Sequence, residues 1–125
     1  MLAADHRLRH SDAFRRTVKS GRRAGSRALV LHLLVGRSPG EEPAKVGFVV
    51  SKGVGSAVER NLVKRRLRHV VRDFLTDLPP SSELVVRAQP VAASMTSAEL
   101  RVELARCLQR VGVADPVAAG SGARS

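Results

Sequence analysis

Residues Ser51 to Arg72, SKGVGSAVERNLVKRRLRHVVR, constrain the chain more than any other stretch. A glycine-punctuated turn leads into a run that reads as a single helix, expected to continue to about Asp77, where Pro79 and Pro80 stop it. Ser56 and Glu59 have the S-x-x-E spacing of a capping box, in which each side chain satisfies a backbone amide at the helix start. At about 100° per residue, Val63, Leu67, Val70, Val71 and Phe74 share one apolar face. Arg60, Asn61, Lys64, Arg65, Arg68 and Arg72 line the adjoining face, and Arg66 lies away from this stripe. From Arg60 to Arg72 there are six cations and no acid. A merely solvated face usually interleaves both signs, which gives i,i+4 support. A one-signed cluster repels itself unless a polyanion compensates it. Gly53 and Gly55 would let the backbone approach a ligand closely just before a helix N-terminus, whose amides attract phosphate. No G-x-x-x-x-G-K-[ST] is present, so this is not a Walker loop.

The rest of the composition agrees with a polyanionic partner. The net charge is +11 over 125 residues. That length makes one domain with a modest core, expected over residues 1–111. Hydrophobic content of 43% is ordinary for a globular chain. The longest apolar run, Ala28 to Val35, contains His32 and is far too short to span a bilayer. Asp5, His6 and Arg7 interrupt the only apolar start, so no secretory signal is read, and the single Cys107 fits a reducing cytoplasm as a small core residue. With three Phe and no Trp or Tyr, the chain is poor in base-stacking side chains, which favours backbone-dominated binding over aromatic readout.

In chain order, residues 1–10 read as a basic arm. His6 and His10 have metal-ligand spacing, but nothing nearby completes a site. Ser11 can cap a helix through Lys19, with Phe14 and Val18 on one face as ordinary core and Gly21 ending it. Arg27 to Val35 reads as a strand with Val30, His32 and Leu34 on one face and Leu29, Leu31 and Leu33 on the other. On a sheet face, His32 is expected at the surface or hydrogen-bonded. Residues 36–44 form a turn, and Glu41 and Glu42 within it are solvated acids rather than a catalytic pair. Lys45 to Ser51 is the next strand, expected to form a hairpin with the first. Glu83 to Arg87 is a third, and Ser97 opens a last helix with Ala98, Val102, Ala105 and Leu104 or Leu108 at core spacing and Arg101, Arg106 and Arg110 outward. Gly112 ends that helix, and residues 112–125 read as a disordered tail. The order α-β-β-α-β-α is a small α+β sandwich with helices over a sheet. For its strand–helix–strand unit the general rule predicts a right-handed crossover.

These residues support an RNA- or DNA-binding domain and go no further. A ribosomal or other structural RNA-binding protein satisfies them, as does a duplex-DNA reader. A protein-only nuclease does not, because the scattered acids offer no metal-binding set and no catalytic residue stands out.

The run GFVVSKGVGSAVERNLVKRRLR resembles the signature region of the bacterial ribonuclease P protein subunit. That family has a strand ending in Val-Ser-Lys, a Gly-x-Ala-Val turn, then Arg-Asn-Arg and a basic helix. Flanking segments extend the resemblance over roughly residues 6 to 111, and Leu62 stands where the second motif arginine is expected. The resemblance implies a ribosomal-protein-domain-like fold whose βαβ crossover is left-handed. It also implies a cytoplasmic ribonucleoprotein endonuclease that removes the 5′ leader of precursor transfer RNA. Catalysis would belong to the RNA subunit with Mg2+, while the protein binds RNA, broadens substrate use and lowers the magnesium requirement; no membrane and no DNA partner is expected. Carried over by motif, Lys52, Arg60, Asn61, Lys64, Arg65 and Arg68 would face the catalytic RNA. Phe14, Val18, Val30, His32 and Val49 would line a leader cleft, with Val18 and His32 standing where the family has aromatics. No protein-held metal is implied.

Overall fold

The computed structural model describes residues 11–35 and 43–113; the basic arm, most of the acidic turn and the tail beyond Val113 lie outside the described residues. Helix α1 (Ser11–Ser20) is followed by strands β1 (Arg22–Gly25), β2 (Leu29–Leu34) and β3 (Lys45–Val49). A 3-10 turn (Lys52–Val54) leads into helix α2 (Ala57–Arg72), then β4 (Glu83–Ala88) and helix α3 (Ser97–Arg110). Among the described residues this is a mixed α+β fold of three α-helices and one four-stranded sheet.

The sheet order is β1-β2-β4-β3. The expected hairpin between the second and third strands is therefore corrected: β4 lies between them, antiparallel to β2 and parallel to β3. The hairpin partner of β2 is β1, whose RRAG sequence has no apolar alternation to announce a strand. Edge position explains this, because only Ala24 of the four is buried. Helix α2 connects the parallel pair β3 and β4, as parallel strands require.

Alternation divides the sheet as the β2 sequence predicts. Leu29, Leu31 and Leu33 join Val46, Leu84 and Val86 in the main core beneath α2 and α3. Helix α2 buries Val63, Leu67, Val70 and Val71 there, followed by Phe74 just past its end. Each such side chain contributes roughly 1.5–3 kcal/mol of burial. The opposite face carries a smaller cluster, Ala13 and Val85 with half-buried Phe14 and Val49, under α1.

Two helix readings change. Helix α2 stops at Arg72, and the chain tightens into a 3-10 turn over Leu75–Asp77 rather than continuing the α-helix. On α3 the buried face is Leu100, Glu103, Leu104, Cys107 and Leu108, while Ala98 is exposed and Val102 is 50% exposed. The larger leucines decide the rotation of the helix, because they remove more apolar area from water than an alanine-valine stripe. Both α2 and α3 start with complete capping boxes, Ser56 with Glu59 and Thr96 with Glu99. Cys107 is fully buried, and burial pushes its thiol up from the ordinary value.

Candidate nucleic-acid interface

The turn before α2 and the helix itself place the cationic residues on one exposed side. Gly55 leaves room there for the Glu59 carboxylate that closes the capping box, which a Cβ would displace. Lys52 is exposed on the 3-10 turn. Asn61 and Arg65 are exposed on α2, and Arg60, Lys64 and Arg68 are half-buried along their stems. All six point away from the core face formed by Val63, Leu67 and Val70. None of the five cations in this set has a carboxylate partner among the described residues, and the Arg60 Nε is buried with no hydrogen-bond partner there.

Six of the seven described acids are engaged elsewhere. Asp12 pairs with Arg15, Glu83 with Arg16, Asp73 with Arg101 and Glu103 with Arg106. Glu59 and Glu99 are held in the capping boxes. Among the described residues no ion pair offsets the cations of this α2 face, which a phosphate chain can neutralise with release of counterions.

The groove beside this face was not legible in the sequence. About 340 Å3 in volume, it is lined by Arg65, Arg66, Arg68, His69 and Ser97. Arg66, set aside by helical periodicity, donates to the Met95 carbonyl at 2.8 Å and so ties α2 to the approach of α3. Ser97 arrives from α3, a tertiary neighbour that no spacing within the 51–72 stretch could reveal. Leu62, at the motif's departing position, is 38% exposed one turn before Arg66.

The five residues assigned to a leader cleft fall on the α1 side of the sheet. Helix α1 is fixed to this side by Arg16, whose guanidinium donates to both Glu83 oxygens at 3.2 and 2.6 Å, and by Thr17 Oγ1, 3.1 Å from Glu83 Oε1. Phe14 is half-buried over Gly47, where a Cβ would overlap the ring. Val49 packs with it and Val18 is 37% exposed, so Val18 is not the core residue its spacing suggests. Val30 and His32 lie beneath, each 5% exposed.

His32 is not at the surface, where a sheet-face histidine is expected. It is buried, and its Nδ1 has no partner among the described residues. Burial first, then the charges of Arg87 and Arg23, hold its pKa below the ordinary histidine value. Arg87 and Arg23, both exposed, are functional candidates that sequence reading missed. Alternation along ELVVRA could have placed Arg87 on this face; Arg23 required knowing that β1 is a strand.

Among the described residues, no three His, Cys, Asp or Glu side chains converge as a metal site. None of the described helices is long and apolar enough to cross a membrane.

Comparison with known proteins gives this geometry a family. The sequence pattern of the family described as Ribonuclease P matches residues 2–112. The ribonuclease P protein component of a Nocardioides species is 57% identical over 112 residues, spanning 90% of this chain and 96% of that one. That of Streptomyces bikiniensis is 50% identical over 117 residues, spanning 89% and 95%. In three dimensions the RNase P protein of Staphylococcus aureus superposes with a TM-score of 0.76 at 25% identity, covering 86% of this chain and 96% of that chain. The Thermotoga maritima RNase P protein shares the fold with a TM-score of 0.70 at 23% identity, covering 83% and 96%. The unpaired cationic helix thus sits in the scaffold of a known RNA-processing subunit, and the chain belongs to the ribonuclease P protein component family, part of the tRNA-processing endoribonuclease.

Proposed function

We propose that the protein docks its α2 face on the RNA subunit of ribonuclease P and holds the 5′ leader of precursor transfer RNA between α1 and the sheet. The observation that carries the docking half is the run of cations on α2 without one carboxylate partner among the described residues. Lys52, Arg60, Asn61, Lys64, Arg65 and Arg68 meet the RNA subunit; the arginine forks suit phosphate oxygens because they can bind two at once.

The leader half is supported by the way Phe14, Val18, Val30, His32 and Val49 gather on one face of the sheet, with Arg23 and Arg87 beside them. Phosphodiester cleavage belongs to magnesium ions bound by RNA, and this chain's side chains position the substrate. In this reading the protein broadens the range of usable precursors and lowers the magnesium requirement, by replacing part of the counterion atmosphere with fixed charge. It works in the cytoplasm on RNA and not on DNA.

The test is reconstitution with a bacterial ribonuclease P RNA at low magnesium, using precursor transfer RNA labelled at its 5′ end. Restored leader cleavage where the RNA alone fails is the expected result. Tight RNA binding without restored cleavage would overturn the leader-holding role.

A further inference from the structure

The floor of the α1-side cleft combines two exposed arginines with a buried histidine whose ring nitrogen lacks a partner among the described residues. Strand register brings them together. Arg23 of β1 lies opposite His32 of β2, and His32 lies opposite Val85 of β4, which sets Arg87 diagonal to His32 on the same face. Opposite residues have Cβ atoms about 4.5–5.5 Å apart and diagonal ones about 7–8 Å, well within the reach of an arginine side chain. Neither guanidinium has a carboxylate partner among the described residues. Both charges are felt at the His32 ring.

We propose that Arg23, His32 and Arg87 form a seat for one backbone phosphate of the leader, binding it by charge where stacking aromatics would bind a base. The inference rests on the leader reading given above and names the chemical group recognised there. Two guanidinium groups and an imidazole offer only donors to an anion once the ring is protonated. A phosphate carries no base identity, so the seat tolerates any leader sequence. That suits a chain with three Phe and no Trp or Tyr.

Seating the phosphate also changes the proton balance. Without ligand, burial and two positive neighbours keep the imidazole neutral. A phosphate between the arginines offsets both charges, which favours the imidazolium. Leader binding therefore takes up a proton and strengthens as pH falls toward the ordinary histidine value of 6.5. The other charges around this face do not replace this coupling. Glu83, the acid on the same face, is held by Arg16 and Thr17, and Lys45 of β3 and Lys19 of α1 add positive charge.

The experiment uses the reconstituted holoenzyme and a precursor transfer RNA blocked at its scissile bond. The ratio of Kd for mature to precursor transfer RNA isolates what the leader contributes. We expect that ratio to be roughly fivefold larger near pH 6 than near pH 8 at constant ionic strength. His32→Gln should make it flat with pH, and Arg87→Ala or Arg23→Ala, both at exposed positions that leave folding intact, should reduce it roughly fivefold. A ratio well above one that ignores pH and both arginine substitutions would overturn the phosphate seat and leave the leader cleft standing. A ratio near one at both pH values would overturn the leader reading itself, and the seat with it.

Discussion

The far edge of the Phe14 ring occupies the space that a Cβ on residue 47 would take, so strand β3 receives helix α1 through the missing side chain of Gly47. Gly47→Ala should push the ring out of its place at a stability cost of about 1–3 kcal/mol, as overpacking does. Phe14→Ala should instead keep the fold and raise the holoenzyme's KM for precursor transfer RNA more than it weakens assembly with the RNA subunit. An unchanged KM would remove Phe14 from the leader cleft.

Glu83 anchors α1 from below through Arg16 and Thr17. Replacing it by Gln removes the charge and leaves one acceptor oxygen for Arg16 Nε, Arg16 Nη2 and Thr17 Oγ1, which now share two. The expected loss is about 1–2 kcal/mol, reduced from a fully buried pair because Arg16 keeps 35% of its side-chain surface in water. Chemical denaturation gives the total, and amide exchange should quicken in α1 before it quickens in α2.

On α2, Arg68→Ala should weaken binding to the RNA subunit and lower the slope of log K against log salt by about one. Arg101 makes a useful contrast, since it already pairs with Asp73 and lies over the Phe74 ring with 5.8 Å to the centroid. Arg101→Ala should cost stability and leave the salt slope unchanged. Equal slopes for Arg68→Ala and the unaltered protein would mean that Arg68 does not meet phosphate.

The free protein should also lose stability on acidification through His32. Its pKa is depressed in the folded state, so below about pH 6.5 the unfolded chain takes up a proton that the native state refuses. Stability from the neutral ring is full above that value and falls as pH drops toward the folded pKa. Denaturant midpoints of wild type and His32→Gln between about pH 7 and pH 5 should diverge in slope, the wild type falling faster. Parallel slopes would show that the ring titrates freely.

What could be read from the sequence was local. The capping box of Ser56 and Glu59, the apolar stripe from Val63 to Val71 and the cationic stripe beside it lie within one helix, where periodicity is enough. The strand order could not be read this way, because β3 pairs with β4 across an entire helix and β1 is an arginine-rich edge with one buried residue. Arg66 shows the same limit on a smaller scale: its position on α2 says only that it points elsewhere, and the Met95 carbonyl that receives it belongs to another part of the chain. His32 was placed on its face correctly and in its environment wrongly, since the depth of a sheet position depends on the helix laid over it. The family resemblance of the 47–68 run supplied the function that composition alone left between several RNA- and DNA-binding classes.

The central position of β4 sets the order in which the molecule can become whole. Strand β3 has β4 as its neighbour in the sheet, yet β4 follows α2 in the chain. As the polypeptide leaves the ribosome, α2 emerges before the strand that closes the sheet and before α3 arrives to cover its oily side. Its charged face, by contrast, is complete at once. Until β4 and α3 have been made, the apolar face of α2 has no complete sheet to lie on, so a chain paused at that point carries oily surface on one side of the helix and uncompensated charge on the other.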